Sequence, residues 1–197
     1  MRGGLRGKSA KRIVKAIRDS GEIWLTNTGP RDTSQSDYKN RFTLHDMSRL
    51  IPVYNESGYF SVEVHGGARL HQNMLNNKID PFREVQLWAS GSSRVLIQTL
   101  IRATNVWGYR MYPRNVVKLA VRSFLETVDV WRCFDFLNYV PNMAPVANAV
   151  SFVVVVLMPS ARQATSSSRS ASQARPIGSL RMRSVNRLVT SASATAR

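Results

Sequence analysis

Apolar and polar positions alternate between two spacings over the first 150 or so residues. Leu44, Met47, Leu50 and Ile51 recur at intervals of three and four, which predicts a helix from Leu44 to Tyr54. Short β-rich runs stand between such segments: Glu22 to Thr26, Tyr59 to Val64, Val95 to Ile101 and Val128 to Phe134. A helix is expected from Ala10 to Asp19, capped by Ser9, stopped at Ser20-Gly21, with Ile13, Val14, Ala16 and Ile17 on one side. Another helical stretch runs from about Leu70 to Trp88 with a break at Pro81. A third starts at Pro113 and turns Val116, Val117, Leu119, Ala120 and Phe124 inward. Pro145 to Ala149 could open a further helix and Ser151 to Met158 form a fifth strand. Asn27 to Arg41 has no apolar period and is expected to be a polar loop.

Strand, polar loop, helix, strand is the rhythm of βα units around a parallel sheet. In such folds the loops after the strands carry chemistry, because the strand ends converge there. Each of these loops holds polar groups: Arg31 and Asp32, Glu63 and His65, Arg102 and Asn105, Asp135 and Asn138.

Composition changes this picture at one end of the chain. Asp135 is the last acidic residue, and the 62 residues after it hold seven arginines and no lysine. Beyond Ser160 the chain is Ser, Ala and Arg with scattered apolar residues and no aromatic ring. Residues 161–197 are therefore expected to be disordered, since too little apolar area is available there to offset chain entropy. The formal charge of +16 belongs to the ends: seven cations lie in Met1 to Arg18 and seven after Asp135. The body from Asp19 to Asp135 has 14 basic and 12 acidic residues, a net of about +2. A nucleic-acid-binding role is supported by those ends alone and opposed by the balanced body. The basic segment (Arg2, Arg6, Lys8, Lys11, Arg12, Lys15, Arg18) reads as a mitochondrial presequence, a nucleic-acid arm, or a solvated helix covering the bottom of a barrel. Cys133 is the single cysteine, so no internal disulfide can form. No apolar run reaches the roughly 20 residues a membrane helix needs. A cytoplasmic location is expected, the mitochondrial matrix being the alternative.

Four loop signatures then go beyond periodicity. Thr28-x-x-Arg31-Asp32-x-x-Gln35-Ser36 resembles the opening loop of the carboxyltransferase domain of biotin-dependent carboxylases, the group of pyruvate carboxylase, the oxaloacetate decarboxylase alpha subunit and transcarboxylase. Glu63-Val-His-Gly66-Gly67-Ala68 is similar to that family's E-x-x-G-G-A, and Leu100-Ile-Arg102-Ala-Thr-Asn105 to its L-L-R-G-A-N. Gly108-Tyr109 and Tyr112-Pro113-x-Asn115-Val-Val117 match the approach to the next helix. Asp129-Val-Trp-Arg132-x-Phe134-Asp135-x-Leu137-Asn138 resembles D-V-F-R-x-F-D-S-L-N. The resemblance covers roughly Glu22 to Met143.

It implies an α/β fold, a partial TIM-type (β/α)8 barrel of about the first four βα units. The expected organisation is a basic N-terminal helix (1–21), half of a barrel (22–143), a degraded apolar segment (144–160) and a disordered tail (161–197). The implied reaction moves a carboxyl group between carboxybiotin and an α-keto acid such as pyruvate or oxaloacetate, through an enolate stabilised by a divalent cation of the Zn, Mn or Co class. By the resemblance Asp32 is a metal ligand, Arg102, Gln35 and Arg31 are catalytic residues, and Gln35, Arg102, Gly66 and Gly67 bind the keto acid. Carboxybiotin would come from a carrier domain, with biotin carrier and biotin carboxylase components on other chains. Self-association to close the sheet is a further expectation.

Each residue also has a plainer reading. Asp32 can cap the following turn. Arg102 can pair with Asp135 or Glu63, and Arg31 can hold its loop through an ion pair. Gly66 and Gly67 can let the backbone approach a neighbouring loop. His65 and His71 have no metal-ligand spacing, so His65 is expected to pack or hydrogen-bond. Cys133, inside a strand, is expected to be a buried inert thiol. The tryptophans and methionines are expected in the core. The family's later elements, a metal-ligating lysine carbamylated in many members and an H-x-H pair, have no counterpart: no lysine follows Lys118 and no histidine follows His71. That absence, with the composition break after Met143, suggests a truncated or frameshifted fragment without full activity. A non-catalytic structural or interaction module is the alternative.

Overall fold

The computed structural model describes residues 4–150 and, as backbone, 153–156. Five parallel strands form one sheet in sequential order: β1 (Thr26–Asn27), β2 (Ser61–His65), β3 (Leu96–Ile101), β4 (Val130–Phe134) and β5 (Val153–Val156). Seven helices are described: α1 (Ala10–Ser20), α2 (Gly29–Ser36), α3 (Leu44–Glu56), α4 (Gly67–Gln72), α5 (Pro81–Gly91), α6 (Arg114–Arg122) and α7 (Val140–Ala147). Parallel neighbours that are also sequence neighbours require a crossover between every pair of strands, and the helices supply it.

Alternation along the strands sorts side chains between two faces. Val62, Val64, Ile97, Ile101, Trp131 and Cys133 join Met47 and Ile51 of α3, Val85 and Trp88 of α5, Val117 and Val121 of α6 and Met143 of α7 in the main core. The opposite face carries Ser61, Glu63, Gln98 and Arg132. At the N-terminal ends of the strands, Leu96 and Val130 pack against Ile13 of α1, with Val14, Ile17 and Phe60 around them. Helix α1 thus closes the bottom of the sheet with its apolar side, as the third reading of the basic segment expected, and Lys8, Lys11, Arg12 and Lys15 face solvent.

Several expectations need correction. The first strand shrinks to Thr26–Asn27, leaving Ile23 82% and Leu25 55% exposed, because β1 lies at the sheet edge. The polar loop at Asn27 to Arg41 contains α2, whose Gly-Pro-Arg-Asp start suits a helix N-terminus even though its composition has no apolar face. Ser9 occupies the N-cap of α1 without a side-chain capping bond. The stretch from Leu70 to Trp88 is two helices with a π-helical turn at Asn73–Asn77 between them, and Pro81 opens the second, where Asp80 accepts the Phe82 amide. In α6, Val116 and Leu119 are exposed and the buried side is Val117 and Val121, one step round the helix. Met74 and Met111 are also exposed. By contrast α3 gains a full capping box, Thr43 accepting the Asp46 amide while the Asp46 carboxylate accepts the Thr43 amide. These hydrogen bonds hold the Asp46 carboxyl below its usual range. The tail expected to be disordered, 161–197, lies outside the described residues.

Candidate active site at the carboxyl ends of the strands

A buried polar chain crosses the sheet face opposite the main core. Thr26 Oγ1 and Ser61 Oγ are 2.7 Å apart, and Ser61 Oγ lies 3.2 Å from Gln98 Oε1. Gln98 Nε2 donates to Glu63 Oε2 at 2.8 Å, and Arg132 Nη1 lies 3.2 Å from the same oxygen. Arg31 Nε donates to the other oxygen, Oε1, at 2.6 Å. Glu63 is the hub of this network: a fully buried carboxylate met by two guanidinium groups and an amide. A charge so buried is tolerable only with that many partners.

The loops after the first three strands touch. A Cβ on Gly66 would stand 2.9 Å from Arg31 Cδ. One on Gly67 would stand 2.7 Å from the Trp107 carbonyl oxygen and 3.2 Å from Arg102 Cζ. The glycine pair therefore serves close approach between loops. Arg102 Nη1 donates to the Gly108 carbonyl at 3.1 Å, and its guanidinium lies 4.9 Å from the Tyr109 ring centroid. The expected alternative for Arg102, a pair with Asp135 or Glu63, is not found: Glu63 is engaged by Arg31, Gln98 and Arg132 instead. His71 reaches the same loop, its ring 5.5 Å from that of Tyr109.

Behind β4, Asp135 organises its own turn, accepting from the amides of Leu137 and Tyr139 and from Asn142 Nδ2, each at 3.1 Å. Helix α7 packs on the Ala103–Asn105 turn, which brings the fourth loop to the third. Asp32 and Gln35 both lie on the exposed side of α2, and Arg31 Nη1 donates to Asp32 Oδ1 at 3.0 Å.

Two residues leave the chemistry. His65 is fully buried, its Nδ1 3.3 Å from Thr99 Oγ1 and its ring against Trp107 and Phe124; burial pushes its pKa down to about 3, with the Arg69 charge adding to the effect. Cys133 is buried and its thiol is pushed up to about 12 by that burial, so it is no thiolate nucleophile.

Among the described residues no group of three or more His, Cys, Asp or Glu side chains is placed to hold a metal ion. A lone, exposed carboxylate that already accepts from an arginine does not make a divalent-cation site. The described residues do not fit the metal that the resemblance implies.

Over 148 residues the chain is 31% identical to the pyruvate carboxylase of Bacillus subtilis, covering 73% of this chain and 13% of that protein. It is 36% identical over 134 residues to the mitochondrial pyruvate carboxylase of Homo sapiens, covering 66% of this chain and 11% of that protein. The carboxyl transferase domain of Rhizobium etli pyruvate carboxylase, solved with oxamate and biotin, superposes with a TM-score of 0.74 at 30% identity, over 79% of this chain and 28% of that one. The chain belongs to the carboxyltransferase domain of the pyruvate carboxylase family. Its sheet is part of a TIM barrel of that type, and it spans about an eighth of the Bacillus subtilis relative's length. No family profile matches the chain.

The sequence marked Glu63 only as a possible partner of Arg102, held Arg132 inside a motif without a role, and gave no sign of Gln98. The available signal was Ser61-Val-Glu63-Val: polar residues at every second position of a strand buried on both faces must meet polar partners inside.

Proposed function

We propose that this carboxyltransferase segment supplies the keto-acid-facing side of a biotin-dependent carboxyl transfer, with Arg102 as the carboxylate-binding group and Gln35 as a second polar contact. The observation that carries this reading is the placement of Arg102. Its guanidinium is held by the Gly108 carbonyl, the Tyr109 ring and the close approach of Gly67. A guanidinium fixed in this way offers a planar pair of donors to a carboxylate without first losing rotamer freedom. Arg31, bound to Glu63 and Asp32, orders the mouth and leaves substrate contact to Arg102.

The carboxyl donor would be carboxybiotin presented by a carrier on another chain. The Rhizobium etli domain, solved with oxamate and biotin, supports that chemistry for this segment. Because the described side chains do not fit a divalent cation, we further propose that the 197-residue polypeptide by itself binds keto acid weakly and does not turn over. No described helix is long and apolar enough to cross a membrane. The single cysteine suits a reducing compartment such as the cytoplasm.

The test is titration of the polypeptide with oxamate, followed by amide chemical shifts. Saturable shifts at Arg102, Tyr109 and Gly67 that vanish in Arg102→Gln are expected. Their absence at saturating oxamate would overturn the binding assignment. Pyruvate-dependent decarboxylation of free carboxybiotin above background, with Mn2+ present, would overturn the claim that this polypeptide does not turn over.

A further inference from the structure

Helix α2 carries Gln35, the second proposed substrate contact, with Asp32 beside it on the same exposed side. The fixing point is Arg69 on α4, which the motifs did not single out. Its side chain is completely buried, as is that of Glu84 on α5. Arg69 Nε donates to the Glu84 carboxylate at 3.0 and 3.2 Å, and Nη2 lies 2.8 Å from Glu84 Oε1. Its Nη1 donates to Ser34 Oγ at 3.3 Å and to the Asn40 carbonyl at 2.8 Å, and Nη2 donates to the Phe42 carbonyl at 2.7 Å. These hydrogen bonds engage every nitrogen of the guanidinium fork and four of its five donors, and the Nη2 contact with Glu84 adds an ion pair.

We propose that Arg69 is the positioning residue for the segment bearing Asp32 and Gln35. Three of its acceptors, Ser34, Asn40 and Phe42, lie within or just after α2. The turn it grips contains Lys39 and Asn40, both with positive φ (51° and 58°), a conformation that non-glycine residues adopt at a cost. Asn77 adds a second bond to the Asn40 carbonyl at 2.6 Å, and Asn73 bonds Glu84, so the π-helical turn completes the grip. Arg31 on Glu63 fixes the other end of the same helix. Between two arginine anchors, the exposed side of α2 presents Asp32 and Gln35 in a set orientation. Glu84 keeps Arg69 in place: a buried guanidinium needs a buried carboxylate, and desolvation raises the Glu84 pKa while the Arg69 charge opposes that rise.

A lysine at position 69 would keep the charge but has three donors on one nitrogen and cannot reach acceptors on three elements. Amide hydrogen exchange on the 197-residue chain tests this. Arg69→Lys is expected to speed exchange across residues 31–42 about tenfold or more while the amides of β3 keep their wild-type rates, a local opening. Ser34→Ala, which leaves no buried charge unpaired, guards against an unfolded Arg69→Lys and is expected to give a smaller rise confined to the same residues. Unchanged exchange at 31–42 in both variants, or in either variant a uniform rise that includes β3, would overturn the proposal. The choice of α2 as site-bearing rests on the functional reading above, and oxamate shifts separate the two. In Arg69→Lys the Gln35 response should be lost and the Arg102 response kept. If wild type shows no oxamate response, the functional reading fails and the exchange data still decide the role of Arg69.

Discussion

Arg31, in the first turn of α2, donates to Glu63 at 2.6 Å, and the carboxylate it meets on β2 has no solvent exposure. The pair joins the loop after one strand to the interior of the next, and Arg132 reaches the same carboxylate from β4. One buried acid thereby ties three strand units together before any substrate arrives.

Arg31→Met should therefore cost stability. Removing one partner of a buried pair typically costs about 3–5 kcal/mol, and the low end applies because Gln98 and Arg132 remain on Glu63. Urea denaturation measures it. An unshifted midpoint would show that Arg31 contributes nothing to the fold.

His65 gives the chain an acid sensitivity of defined sign. Burial lowers its folded pKa to about 3 from the usual 6.5, so between those values the unfolded chain binds the extra proton. Its contribution to stability is complete above pH 6.5 and is lost as pH falls toward 3, with a limiting slope of about 1.4 kcal/mol per pH unit. Glu84 and Asp129, both raised by desolvation, act in the opposite direction, favouring the folded chain as pH falls toward the usual carboxylate range. Thermal melts from pH 7 to 5 should show a falling midpoint in wild type and a flatter profile in His65→Gln.

Gly67→Ala places a methyl group 2.7 Å from the Trp107 carbonyl oxygen, a backbone atom that cannot turn aside. Overpacking of this kind costs about 1–3 kcal/mol. The 102–108 turn should move, and with it Arg102. The expected outcome is a lowered melting temperature with the Trp107 indole and Tyr109 resonances displaced; wild-type spectra would disprove the close packing.

Cys133 should resist alkylation. With its pKa pushed up to about 12 and its sulfur buried, iodoacetamide at pH 8 should modify it only as fast as the chain unfolds. Rapid labelling of the native protein would contradict the burial.

The sequence alone determined the alternation of strands and helices and the meeting of their loops, because hydrophobic period and turn residues act over a few neighbours. The helix expected from Leu44 to Tyr54 was legible for that reason and runs two residues further, to Glu56, whereas the motifs around Gly66, Arg102 and Asp135 were legible as a family resemblance. Helix α2 was not: Gly-Pro-Arg-Asp-Thr-Ser-Gln-Ser has no apolar face, and its helix is held by Arg31 and Arg69, which reach partners 32 and 35 residues away along the chain. The exposure of Val116, Leu119 and Ile23 was equally hidden, since a periodic pattern shows that a face exists and only packing decides which face is covered. The role of Glu63 as hub also belongs to the tertiary structure. A strand pattern can say that a carboxylate points inward, but the charges that make its burial tolerable come from other elements, brought within reach only when the sheet forms.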